Sequence, residues 1–517
     1  MVLRNAVHKD LYADSVALMR VAARLAEPPG VETVSLVMGT PANQDVLARS
    51  GLLTDPGRTA GPNDLLVAVR GAPDAVDAAL AQVVEALTAP DEGPDAPAAT
   101  GAAAGPTVRS LVGAPAGASL ALISTPGPYA AAEALKALRL GMHAFVFSDH
   151  VPVEDEVSLK REAARRGLLV MGPDCGTAVI SGIPLGFANE VRAGSVGLVG
   201  ASGTGLQQVS SLLHARGAGV SHLIGTGSRD VSADVGGLTM RAGLDALAAD
   251  PATEVIVLVS KPPAPQVAER LLRHAGTLSK PVVACFLGTE ESAAAPAGVT
   301  LAPTLSEAAR CAASLAVGGP VPDEELPEVP APAAPRRLLR ALYAGGTFAH
   351  EAACLLGPVL GDIARTAPPP VPGAVPSLPD GHLVLDLGDD EFTAGRPHPM
   401  IDPTVRTAYL RAALADPSCA AVVLDVVIGH GAARDPAGAL ARALAEAPAD
   451  APPVIAFVVG TDADPQGLTA QQRILRDAGA YVVDSSTTAA RVCAGLLSGG
   501  DELVLTPAAA SRIGDTA

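Results

Sequence analysis

Tryptophan is absent from this sequence, and phenylalanine and tyrosine bring the aromatic share to only 2%. Hydrophobic residues still make up 49% of its 517 positions, so the cores must be built mainly from Ala, Val and Leu. Small and branched side chains of that kind suit parallel sheets covered by helices. Paired cysteines are missing too. Cys175, Cys285, Cys311, Cys354, Cys419 and Cys493 are scattered, with no C-x-x-C among them, which argues against a zinc site or a disulfide framework. There is no excess of positive charge. The formal net charge is −18, which argues against nucleic acid or an anionic membrane as partner. No apolar run is long enough to span a bilayer, and the opening Met1-Val2-Leu3-Arg4-Asn5-Ala6-Val7-His8 has no signal-peptide core. The expectation left is a cytoplasmic enzyme of three or four domains, acting on small molecules and holding no metal.

What the sequence does have is glycine-rich loops behind short apolar runs. The stretch from Gly194 to Gly200 reads as a buried strand, and Ala201-Ser202-Gly203-Thr204-Gly205 follows it. A helical pattern then carries Leu206, Val209, Leu212 and Leu213. Strand, glycine turn and helix present free backbone N–H groups and a positive helix end to an anion. Ser202 and Thr204 add hydroxyls, and Gly203 and Gly205 leave the backbone approachable. An ordinary capped turn is the other reading of such a loop. Two further pieces favour the anion. Gly225-Thr226-Gly227-Ser228-Arg229-Asp230 is a second polar glycine turn, and Val255–Val259 reads as a strand delivering Lys261 at its carboxyl end. Open α/β sheets bind ligands at that edge.

Taken in order, residues 1–90 alternate strand and helix as a small α/β or ferredoxin-like domain, in which Thr40 and Asn43 read as helix-capping residues. A linker over 90–107 precedes a Rossmann-like unit at 108–190, which ends in Gly172-Pro173-Asp174-Cys175; Asp174 and Cys175 read as structural there. Residues 191–317 form a flavodoxin-like unit, 318–337 and 366–380 are proline-rich stretches, and a last unit spans 338–517. Two blocks recur. Ala249–Leu258 returns as Ala415–Leu424, and Pro281–Thr289 returns as Pro453–Thr461, in the same order. The 191–317 and 381–500 stretches therefore read as two copies of one α/β domain, facing each other or a partner. The second copy offers Asp389, Asp390 and Glu391 after its first strand, Arg396 and His398 in a basic loop, Asp425 and His430 after its middle strand, and Asp464 after the next. Asp425 and Asp464 suit a magnesium ion, an amide NH₂ or helix capping. Of these, Asp389, Asp390, Arg396, His398, Asp425, His430 and Asp464 are expected together at one sheet edge.

These segments resemble a known superfamily. Thr125-Pro126-Gly127-Pro128, Met171 to Cys175, Ser202-Gly203-Thr204 and Asp250-Pro251 follow the order found in the succinyl-CoA synthetase α subunit, and 381–500 is similar to the carboxy-terminal CoA-ligase domain of the β subunit. Met38–Asn43, Gly200–Gly205, Val259–Pro263, Gly388–Thr393 and Gly395–Met400 resemble the FdrA family over nearly the whole chain. Synthetases of that superfamily phosphorylate a histidine after the strand matching Pro281–Leu287, yet no histidine lies here between His274 and His350, and no ATP-grasp module is visible. The resemblance implies an acyl-phosphate-handling subunit, similar to AllF of oxamate carbamoyltransferase. It would exchange a carbamoyl group between oxamate and phosphate within a hetero-oligomeric complex. Phosphate or carbamoyl phosphate is the implied ligand, with CoA as a further one. Ser202, Gly203, Thr204, Gly205 and Gly227 would hold phosphate, Lys261 or Arg229 would neutralise it, and Arg396 would clamp a carboxylate with His398 beside it. The alternatives are an NDP-forming acyl-CoA synthetase, with His430 as a displaced phosphorylation site, and a non-catalytic CoA- or metabolite-binding subunit.

Overall fold

The computed structural model describes residues 1–13, 15–26, 28–88, 110–289, 295–332, 335–369, 375–393 and 396–498. The expected linker over 90–107, Gly395 of the basic loop and the end of the 338–517 unit therefore lie wholly or partly outside the described residues.

The first unit holds β1 (Val2–His8), α1 (Ser15–Ala26), β2 (Val31–Met38), α2 (Pro41–Arg49), β3 (Leu65–Gly71) and α3 (Pro73–Thr88). Its sheet is antiparallel, in the order β1-β3-β2. Thr40 caps α2 by accepting from the Asn43 N–H, and Asn43 Nδ2 donates to the Met38 carbonyl at 2.8 Å. Both side chains therefore do structural work. The second unit, β4 (Leu120–Ile123), α4 (Gly127–Arg139), β5 (His143–Val146), α5 (Val153–Arg166) and β6 (Val170–Met171), is a three-stranded parallel sheet.

Two larger parallel sheets follow. The first is built from the hairpin β7 (Thr177–Ile180) and β8 (Ile183–Gly186), then β9 (Ala193–Gly200), α6 (Gly203–Ala215), β10 (Val220–Gly225), α7 (Leu238–Ala249), β11 (Val255–Ser260), α8 (Pro265–Ala275), β12 (Val282–Phe286), β13 (Val299–Leu301) and α9 (Leu305–Val317). The second contains β14 (Leu338–Tyr343), α10 (Gly346–Leu360), β15 (Ile363–Ala364), β16 (His382–Asp386), α11 (Asp390–Thr393), α12 (Thr404–Ala415), β17 (Cys419–Val427), α13 (Pro436–Ala445), β18 (Val454–Val459), α14 (Leu468–Asp477), β19 (Tyr481–Val483) and α15 (Ser486–Leu497).

The orders are β13-β12-β11-β9-β10-β7-β8 and β15-β16-β14-β17-β18-β19. Reading the parallel strands of each, β10-β9-β11-β12-β13 matches β16-β14-β17-β18-β19 position for position. This is the flavodoxin-like order 2-1-3-4-5. The recurring sequence blocks are the adjacent pairs β11–β12 and β17–β18. The second copy reaches back to β14, ahead of residue 381. The hairpin β7–β8, inside the 108–190 stretch of sequence, extends the first large sheet by pairing antiparallel with β10.

One hydrophobic core joins the two copies. It runs from Leu198, Leu206 and Val259 of the first to Leu339, Phe348 and Phe457 of the second. Aromatic rings help to close it: those of Phe348 and Phe457 meet edge-on with centroids 5.2 Å apart.

Candidate functional site

In the 2-1-3-4-5 order the strand sequence reverses beside strand 1, and the loops there open a crevice at the carboxyl edge. In the first copy these loops are Ala201–Ser202 after β9 and Lys261 after β11; in the second they are Ala344–Gly345 after β14 and Ile428–Gly429 after β17. The two crevices meet. Ser202 caps α6 through the Gly205 N–H at 3.2 Å, and its hydroxyl lies 2.6 Å from that of Thr347 in the first turn of α10. The N-termini of α6 and α10 therefore adjoin, and both helix dipoles are positive there. Gly203, Thr204 and Gly346 are partly open to solvent, while Gly205 is buried.

Lys261 is exposed at the same place. Its Nζ is 3.2 Å from where a Cβ on Gly346 would stand, and Asp386 Oδ2 is 2.2 Å from that point. Only glycine fits at 346. Asp386 ends β16 and was not picked out in the sequence; a single acid closing a strand is too common a pattern to single out. Burial pushes its carboxyl up to about 6, against the pull of Lys261. His350, one helical turn further along α10, lies against the turn after β12: its ring hydrogen-bonds the Leu287 backbone. Burial lowers its pKa, keeping it neutral, and its Nε2 is 3.5 Å from Cys354 Sγ.

The other expected residues divide by location. Asp425 is fully buried and accepts from the Ala344 and Gly345 N–H groups at 2.8 and 2.9 Å, with Arg406 3.3 Å away. It fixes the turn that starts α10, and the metal or amide role gives way to that one. Asp464 accepts from Asn189 Nδ2 at 2.9 Å and from the Glu190 and Thr461 N–H groups at 2.7 Å, so it fastens the segment after β8 to the second copy. His430 pairs with Glu190 at 2.7 Å. Arg229 pairs with Glu156 of α5 at 3.0 Å and donates to the Val151 carbonyl. Gly227 has φ +84, and a Cβ there would fall 2.1 Å from the Pro173 oxygen, so its role is close backbone approach. Arg396 is half-buried beside Tyr409, and burial lowers its pKa. His398 is pushed down to about 4 by burial; its Nδ1 accepts from the Met400 N–H at 3.2 Å, which leaves the proton on Nε2.

A second group of charged side chains forms where loops of the small parallel sheet approach the turn after β10 and the start of α11. Asp174 accepts from Ser228 Oγ at 2.5 Å. Crowding by the surrounding protein pushes its carboxyl up to about 6, with Asp149 and Asp390 adding repulsion, although its side chain still reaches solvent. His150 is raised by Asp149, and more weakly by Asp390. Asp389, Asp390 and Glu391 are exposed here. Cys175 is buried, and its thiol is pushed up to about 12, as a packing residue would be. The seven acids, bases and imidazoles of the second copy thus fall into separate groups, because Asp425 and Asp464 turn inward to backbone donors. Among the described residues no group of three His, Cys, Asp or Glu is arranged to hold a metal, and no helix is long and apolar enough to cross a membrane.

Comparison with known proteins agrees with this architecture. Residues 1–103 match the family described as AllF, heavy metal-associated domain; 193–321 match the succinyl-CoA ligase-like flavodoxin domain; and 342–495 match CoA-ligase. The first of these segments lacks the thiolates a heavy metal would need, since the first cysteine of the chain is Cys175. The Escherichia coli (strain K12) protein YahF is 38% identical over 97% of this chain and 100% of its own length. The α-2 subunit of the mitochondrial ADP-forming succinate–CoA ligase of Trichomonas vaginalis is 31% identical over 35% of this chain and 59% of its own. Among solved structures, a dinucleotide-forming acetyl-coenzyme A synthetase of Ca. Korarchaeum cryptofilum is 16% identical, covers 75% of this chain and 84% of its own, and has a TM-score of 0.33.

Proposed function

The chain belongs to the FdrA family, within the succinyl-CoA synthetase-like superfamily, and from that premise we propose that it is a subunit of a carbamoyltransferase complex of ureide catabolism. Carbamoyl phosphate and oxamate would exchange with oxalurate and phosphate. The oxamate nitrogen attacks the carbamoyl carbon, the C–O bond to phosphate breaks, and the nitrogen's proton leaves with the phosphate. The observation that carries this reading is the meeting of two helix N-termini at Ser202 and Thr347, 2.6 Å apart, beside the exposed Lys261. Free N–H groups, two positive dipole ends and an ammonium suit a phosphoryl group. Asp386, beside Lys261, is ionised at neutral pH and relays the proton. Orientation and charge stabilisation supply the rate without a covalent nucleophile. The AllF match over residues 1–103 supports carbamoyl over other acyl groups. Phosphate or carbamoyl phosphate is the ligand, and partner subunits supply what this chain lacks.

The second reading is an NDP-forming acyl-CoA synthetase subunit. It rests on the CoA-ligase and succinyl-CoA ligase-like matches and on His350, whose imidazole lies against the turn after β12.

The test is phosphate release from carbamoyl phosphate and oxamate by this chain with the subunits it co-purifies with; ATP, CoA and a short carboxylate run in parallel. Oxamate-dependent release that falls by about 10²-fold in Lys261→Ala or Ser202→Ala, the size expected for losing one group that stabilises a developing charge, supports carbamoyl transfer. CoA-dependent ATP consumption abolished by His350→Asn would replace it with the ligase reading.

A further inference from the structure

A cavity of about 650 Å³ lies away from the phosphate crevice, at the other end of α6. That size falls in the range that holds small-molecule ligands. Leu212 and Val321 wall it on the side of the first copy, and Val458, at the end of β18, does so on the side of the second. Ser211 lines it too. This serine is only 6% exposed, and its hydroxyl has no hydrogen-bond partner. A buried hydroxyl without a partner calls for one.

The charges at the cavity are one-sided. Among the described residues Arg216 is its only cationic lining residue, and Glu324 already neutralises it at 2.8 Å. The charge of Asp323 is opposed by Arg491 at 3.6 Å. Among the described residues Asp484 and Glu325 make no ion pair or hydrogen bond, and both line the cavity. Partial burial raises the Asp484 carboxyl, and so does repulsion from Glu324 and Glu325, against the pull of Arg476 and Arg216. A carboxylate raised in this way gains from a cation brought beside it. Short apolar walls favour methylene groups over a bare ion.

We infer that this cavity between the two copies is a binding site for a small organic cation, with an aliphatic body against Leu212, Val321 and Val458, an ammonium or guanidinium head at Asp484, and a polar group on the Ser211 hydroxyl. The site is separate from the proposed carbamoyl chemistry and stands or falls without it.

The experiment is calorimetric titration of the full-length chain with agmatine and putrescine, with neutral 1,4-butanediol and anionic succinate as controls. The account expects saturable binding of at least one amine and none of the controls. Asp484→Asn should weaken that binding about tenfold, equal to about 1.4 kcal/mol, and Ala215→Phe, which fills the cavity, should abolish it. Asp484 is exposed, so the Asn variant should keep its fold, and circular dichroism checks both variants. Equal binding of butanediol, amine binding unchanged in both variants, or no amine binding up to millimolar concentrations would each overturn the proposal.

Discussion

Asp425 and Asp386 are both acids at the carboxyl edge of the second copy, and their surroundings give them opposite energetics. Asp425 holds two backbone N–H groups and Arg406 in a fully buried place. Asp425→Ala strands all three, so stability should fall by about 3–5 kcal/mol. Urea unfolding should show this, with Asp425→Asn affected less because an amide oxygen still accepts. Asp386 is held against its preference. Its folded pKa of about 6 stands above the ordinary aspartate value of 3.8, so the folded state binds the proton more tightly than the unfolded chain. Stability should therefore rise as pH falls from about 6 toward 4, and the ionised carboxylate lowers it above that window. Asp386→Asn should stabilise the protein at neutral pH by about 1–3 kcal/mol and flatten that pH profile, while slowing turnover. Residue types and strand ends were legible at this scale, but direction was not. Asp425, Asp464 and Arg229 are placed as the sequence suggests, yet each turns to a partner far away in sequence: backbone N–H groups at 344–345, the segment 189–190 and Glu156.

Elements were more legible than residues. The alternation of strand and helix over 1–90 and the Ser202-Gly203-Thr204-Gly205 start of α6 mark their elements directly. The repeat of the blocks over 249–258 and 281–289 locates β11–β12 and β17–β18 in both sheets. Edge elements were harder. β1 is a half-buried edge strand with polar Arg4 and Asn5 inside it, and β7–β8 is a hairpin that joins a sheet beginning further along the chain. Short runs such as these carry no signal of which sheet they enter. The turn after β10 supplies the element-scale prediction. Gly227 has φ +84 and lies against the Pro173 carbonyl. Gly227→Ala should cost about 1–3 kcal/mol and lower the melting temperature, while Gly217→Ala, with φ +82 and nothing within 4 Å of its Cβ, should cost less.

At the scale of the whole molecule, two copies of one fold face each other through their crevices, and a buried charge cluster ties the small parallel sheet to the first copy. Lys160 of α5 contacts Glu156 and Asp230 at 2.8 Å each and donates to the Thr226 carbonyl. Lys160→Met should leave Asp230 without its cation and Glu156 with Arg229 alone, destabilise by about 3–5 kcal/mol, and open cleavage sites between 110 and 190 in limited proteolysis before the rest of the chain is cut. The duplication was legible because its repeated blocks are core strands. That the copies meet through Ser202 and Thr347 was not, because nothing local to either serine or threonine names a partner 145 residues away.

The most direct measurement of the central claim is calorimetric titration of carbamoyl phosphate into this chain and its Lys261→Ala, Ser202→Ala and Thr347→Val variants. The account predicts binding by the unmodified chain, weakened about tenfold or more by each substitution, the first in α6's crevice and the last in α10's counting alike. Binding that survives all three unchanged, or no binding of carbamoyl phosphate where CoA binds, would contradict a phosphate seat between the two helix starts.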